Sequence, residues 1–167
     1  IKQWDAAKAA LAAEYLTSQS GTQRSKLALI MLLNGRGFPK KTIDRAIKEW
    51  GAKAADIVRD NPYALMDLPG IGFKGADKLY CDLAREKSQT DQEYQEALAA
   101  IHRQGLCAAY SVQCESRSSG STWLPIGFAK STVQRTVGGT RAEPERAIDW
   151  AVSEGHLTVK DNHVAVS

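Results

Sequence analysis

The chain has 167 residues, 43% of them hydrophobic, and a formal net charge of +3. That is enough apolar material for one domain or two small ones, and no apolar run approaches the roughly 18 residues of a membrane span. The charge is too small to argue for nucleic acid by itself. Its placement says more: 11 Lys and Arg stand against 8 Asp and Glu between Gly35 and Lys87, so the whole basic excess lies in that segment. Three cysteines, Cys81, Cys107 and Cys114, are an odd number without CxxC spacing. They read as buried thiols of a reducing cytoplasm, not as metal ligands or disulfides. The chain opens on Ile1 with no signal-peptide pattern, which suggests an excised piece of a longer protein or a processed one.

In chain order, Lys2 to Leu16 is Ala-rich and predicts a helix with Trp4, Ala7, Leu11 and Tyr15 on one side. Thr17 to Thr22, with Gly21, reads as a polar turn. Gln23 to Leu33 predicts an apolar helix ending at Asn34-Gly35. Pro39 to Trp50 predicts another, with Pro39 in its first turn and Gly51 as its stop. Ala52 to Arg59 is a shorter helix, and Asn61 caps a small one that leads to Leu68.

The most informative stretch follows, Leu68-Pro69-Gly70-Ile71-Gly72-Phe73-Lys74-Gly75-Ala76-Asp77-Lys78-Leu79. Pro69 sets a turn, and Gly70 and Gly72 have no side chain to hold a ligand away. Phe73, Ala76, Leu79, Tyr80 and Leu83 then recur at helical spacing. Amides at the start of such a helix carry partial positive charge and form an anion site, with Lys74 and Lys78 one turn apart beside it. A P-loop is excluded because Ala76 and Asp77 stand where Lys and Ser/Thr are required. A dinucleotide fingerprint needs a preceding β-strand and a βαβ series, and neither is predicted. A helix-hairpin-helix fits, because its glycine hairpin offers backbone N–H groups to a nucleic-acid backbone. Asn34-Gly35-Arg36-Gly37-Phe38-Pro39-Lys40-Lys41 repeats the scheme of Gly-x-Gly, Phe and lysines. It predicts a tandem, pseudo-symmetric pair, although Gly35 and Gly37 also suit a simple helix stop.

After Ser88-Gln89, Tyr94, Ala97, Leu98 and Ile101 line one helix, Gly105 interrupts, and Leu106, Ala109, Tyr110 and Val112 begin the next. Arg117 to Ser121 is the clearest loop. Phe128 to Val137 is a helix that Gly138-Gly139-Thr140 breaks. Glu143-Pro144-Glu145 starts a last helix, with Ala147, Ile148, Trp150 and Ala151 on its apolar side and Gly155 at its end. Leu157, Val159, Val164 and Val166 around Asp161-Asn162 predict a β-hairpin. Helix, helix, hairpin is the order of a winged-helix unit.

Asn61-Pro62-Tyr63-Ala64-Leu65, then Pro69-Gly70-Ile71-Gly72-Phe73-Lys74 and Ala76-Asp77, resemble the helix-hairpin-helix region of RecD-like DNA helicases, related to the TraA type. Gly120-Ser121-Thr122-Trp123-Leu124-Pro125 resembles a Gly-His-Thr-Tyr-Leu-Pro element that the family places downstream. The resemblance covers roughly Lys26 to Pro125. It departs at Gly75, where the family usually carries Thr, and at Ser121 and Trp123, which replace His and Tyr. It implies a cytoplasmic, accessory region of an ATP-driven 5′-to-3′ DNA helicase of repair and recombination. ATP and magnesium then belong to motor domains beyond residue 167, and this chain itself needs no cofactor.

The fold expected is mainly α: a tandem helix-hairpin-helix region over 1–88, a helical continuation over 89–120, and a winged-helix-like unit over 121–167 ending in a β-hairpin. No catalytic or metal-ligand constellation stands out; Asp77 and Asp82 follow the hairpin, but Asp77 belongs to the family pattern, where a structural role suffices. His102 reads as surface or core filler. The expected partner is DNA, single-stranded or forked, held at Gly70, Ile71, Gly72, Lys74 and Lys78 and at Arg36, Gly37, Lys40 and Lys41. The competing use is a docking module, for instance for a single-strand-binding protein, with Phe38 and Phe73 as contact residues. No membrane partner is expected.

Overall fold

The computed structural model describes residues 2–167, with side chains from residue 6 onward. Its contacts divide the chain into two compact units, one ending at Tyr80 and one spanning Cys81–Ser167.

The first unit begins with one long helix, α1 (Lys2–Leu33). The turn expected over Thr17 to Thr22 does not form. The Thr17 hydroxyl donates to the Ala13 carbonyl at 2.8 Å and the Thr22 hydroxyl to Ser18 at 3.0 Å, so both polar side chains are satisfied without leaving the helix. Gly21 is a packing residue: a Cβ there would lie 3.2 Å from the Ala52 Cβ. The apolar side expected early in α1 is not a core face. Ala7, Leu11 and Tyr15 are exposed, and the Trp4 side chain lies outside the described residues. Burial begins further along the helix, at Ser25, Leu29, Leu32 and Leu33.

Helix α2 (Thr42–Trp50) starts three residues later than Pro39 suggested, after a turn closed by the Thr42 amide on the Pro39 carbonyl at 2.9 Å. Gly51 ends it as expected and opens a short 3₁₀ turn. Helix α3 (Ala54–Asp60) has its N-terminus satisfied from a distance, since the buried Ser25 hydroxyl accepts the Ala55 amide at 2.9 Å. Asn61 caps the 3₁₀ helix Pro62–Asp67 by accepting the Tyr63 amide at 3.2 Å. Helix α4 (Phe73–Lys87) then buries Phe73, Ala76, Leu79 and Leu83, the face its periodicity predicted.

The second unit contains α5 (Asp91–Leu98), entered through a Thr90–Glu93 capping box, and α6 (Ile101–Ser119). Gly105 does not interrupt α6. It is buried beneath Trp150, and a Cβ there would lie 2.1 Å from the Trp150 Cε3. The loop expected over Arg117 to Ser121 is helical as far as Ser119, and Gly120 closes it with φ +73°. Strand β1 (Leu124–Pro125), helix α7 (Ile126–Val137), helix α8 (Pro144–Ser153) and strands β2 (Leu157–Lys160) and β3 (His163–Val166) complete the unit. The hairpin turns at Asp161 and Asn162, both with positive φ, as a two-residue type I′ connection requires. β1 was not foreseen; it pairs antiparallel with β3, Leu124 opposite Val164, giving the sheet order β1-β3-β2. The core joins Val112, Val133, Ile148, Leu157 and Val164.

Buried Gln104 ties this unit's loop to α6. Its amide nitrogen donates to the Ala99 and Arg141 carbonyls at 2.9 and 3.0 Å, and its oxygen accepts the Glu143 amide at 2.8 Å. Cys107 is buried and Cys81 half-buried, but Cys114 is exposed, against the expectation of three buried thiols.

Candidate nucleic-acid interface

Leu68-Pro69-Gly70-Ile71 makes a turn of the type II kind. Pro69 sits at the second position, Gly70 at the third with φ +83°, and the Ile71 amide donates to the Leu68 carbonyl at 3.3 Å. The left-handed φ is what requires glycine at position 70. The turn spends the Ile71 N–H internally, over a long bond. The Gly70 and Gly72 amides have no partner among the described residues. Gly70 is exposed, Ile71 and Gly72 half-buried. Lys74 and Lys78 are exposed on the first turns of α4.

The turn is held from behind by an aromatic cluster. Tyr63 stacks on Phe73 with ring centres 5.8 Å apart and lies 5.2 Å from Tyr80. Its hydroxyl donates to the Asp77 carboxylate at 2.6 Å. This gives Asp77 a structural role and takes Phe73, which is 5% exposed, out of any contact surface.

The first glycine stretch leaves α1 through Gly35, φ +71°, and Gly37, φ +78°. Gly35 ends the helix with a left-handed φ, as the helix-stop reading of this glycine expects. Arg36 is half-buried, and its Nε donates to the Leu32 carbonyl at 2.8 Å, satisfying one of the last carbonyls of α1. That side chain is a cap before it is anything else. Gly37, Lys40 and Lys41 are exposed.

Two contacts connect the stretches. The Phe38 ring packs at Gly75, where a Cβ would lie 3.4 Å from it, an ordinary van der Waals contact. Arg45, on α2, donates from Nη1 to the Pro69 carbonyl at 2.7 Å. Sequence reading missed Arg45 because no local pattern links residues 24 positions apart.

Lys40, Lys41, Lys74 and Lys78 form no salt bridge among the described residues, whereas Lys26 is held by Asp44 at 3.0 Å and Lys130 by Glu145 at 3.0 Å. Four uncommitted ammonium groups and two open amides can take anionic oxygen. Among the described residues no three His, Cys, Asp or Glu side chains come together as a metal site, and no helix is long and apolar enough to cross a membrane.

A helix-hairpin-helix domain is thus the class to which the first unit's turns and helices point. A family model described as the ATP-dependent RecD2 DNA helicase HHH domain matches residues 22–116, more than half of the chain, and the chain belongs to that family. It is also similar to the ATP-dependent RecD2 DNA helicase of Deinococcus radiodurans, 30% identical over 145 residues, which are 87% of this chain. The matched stretch spans only 18% of that protein's length.

Proposed function

We propose that this chain is a non-catalytic, sequence-independent DNA-binding region of an ATP-dependent 5′-to-3′ DNA helicase of the RecD-like family. The observation that carries the reading is the exposed Gly70 turn, whose Gly70 and Gly72 amides lack partners among the described residues and lie beside Lys74 and Lys78. Gly37, Lys40 and Lys41 form the first half of a tandem pair, with Arg36 bracing it. Ile71 contributes as part of the turn, with its own amide turned inward. Contacts of this kind grip phosphates without reading bases, so binding tolerates any sequence and weakens with salt. Single-stranded and forked DNA are the ligands of choice, and the ATP-driven motor lies elsewhere in the parent protein.

The second unit supports a winged-helix assignment through its order, α6-β1-α7-α8-β2-β3, with β1 pairing β3. DNA contact is not assigned to it, because the exposed positions of α8 include Glu145 and Asp149 around a single Arg146.

A second reading, a docking module for a partner such as a single-strand-binding protein, draws on α1, where Leu27, Ile30 and Met31 are 61%, 41% and 82% exposed. Fluorescence anisotropy with labelled single-stranded, duplex and forked oligonucleotides at about 50 and 200 mM salt separates the two. Salt-sensitive binding indifferent to base sequence is expected. A chain that ignores all three at the lower salt is a scaffold.

A further inference from the structure

We infer that Arg45 is a positioning residue for the Gly70 amide, acting through the peptide bond it grips; this rests on the DNA-binding reading above. The Pro69 carbonyl and the Gly70 N–H are the two ends of one planar peptide unit, and in a trans peptide they point in opposite directions. Arg45 donates to that carbonyl at 2.7 Å. Fixing the oxygen on one side therefore fixes the direction of the N–H on the other.

This peptide is the one that most needs fixing. It is the central peptide of the turn, and type I and type II turns differ mainly in which way that peptide faces. The turn's own bond, Ile71 amide to Leu68 carbonyl, is 3.3 Å long and compatible with either form. Gly70 adopts φ +83° but, as glycine, is nearly as free at negative φ. The guanidinium supplies the missing preference. It also withdraws electron density from the carbonyl, which makes the N–H of the same peptide a better donor to an anion. Arg45 is rooted on α2, just after the first glycine stretch, and the Phe38 ring of that stretch packs at Gly75. The first hairpin thus braces the second at two places, and Arg45 is the one that touches the ligand-binding peptide.

The test compares wild type, Arg45→Met and Arg45→Lys in two measurements: affinity for fluorescein-labelled oligo-dT, and the Gly70 amide resonance in a ¹H–¹⁵N spectrum of the DNA-free chain. Met keeps the aliphatic stem and Lys keeps a charged donor. Arg45→Met is expected to bind about tenfold more weakly and to shift or broaden the Gly70 resonance, with the rest of the spectrum that of a folded chain. Arg45→Lys should recover most of both. Wild-type affinity in Arg45→Met overturns the inference. So does weaker binding with the Gly70 resonance unmoved, which would make Arg45 only another positive charge. If wild type itself binds no oligo-dT, the DNA reading fails first; if wild type binds and Arg45→Met binds equally, only the role of Arg45 is lost.

Discussion

Replacing Lys74 and Lys78 together by Ala tests the interface where its electrostatics are simplest. Both side chains are exposed, and neither is in an ion pair among the described residues, so their removal leaves no orphaned carboxylate and the fold should be undisturbed. Each lysine that neutralises a phosphate of a single strand contributes about 0.7 to the slope of log affinity against log salt. Losing two flattens that slope by about 1.4, so the affinity gap between wild type and variant closes by about sevenfold between 50 and 200 mM salt. Adding Lys40→Ala and Lys41→Ala doubles the change in slope if both glycine stretches touch the same strand. The assay is anisotropy of labelled oligo-dT across that salt range. An unaltered slope in the Lys74/Lys78 variant would refute phosphate contact at this hairpin, whatever the absolute affinity.

Other consequences concern stability. Gly105→Ala forces a methyl to within 2.1 Å of the Trp150 ring and 3.0 Å of the Ala147 carbonyl, so α6 and α8 must part; a loss of about 3 kcal/mol is expected in urea melts. The Thr42 hydroxyl is buried with no hydrogen-bond partner among the described residues, so Thr42→Val should gain about 1 kcal/mol by the same measurement. Tyr63→Phe removes the hydroxyl that Asp77 accepts and should cost about 1.5 kcal/mol or more, since the acceptor is a carboxylate. Burial, helped by the neighbouring Arg103, holds the His102 imidazole below its ordinary value of 6.5. The unfolded chain then takes up this proton before the folded one. The stability tied to His102 is intact above pH 6.5 and is lost as the pH falls from there toward the folded-state value, and His102→Gln should flatten that part of a pH series of urea midpoints.

What the sequence revealed divides along a physical line. The Gly70 turn, the apolar face of α4, the Asn61 cap and the Asp161-Asn162 hairpin are set by neighbours in sequence, and each was legible. Gly21 and Gly105 misled because a glycine inside a helix looks the same whether it breaks the helix or admits another element. Here Gly21 lies against Ala52 and Gly105 beneath Trp150, and neither partner is local. The polar run from Thr17 to Thr22 misled for the opposite reason, since its hydroxyls bond back into the helix they were expected to end. Two-residue β1 has no periodicity to detect. Only its pairing with β3 makes it a strand.

The same division explains why the lysines of the candidate site could be named from sequence and Arg45 could not. A lysine one turn after a glycine hairpin is placed by the helix it belongs to. Arg45 matters only because α2 carries it to a carbonyl 24 residues away. A hairpin motif read alone therefore supplies the groups proposed to touch an anion but not the group proposed to set their direction. For a turn whose central peptide can face two ways, that second group decides how much of the time the site exists.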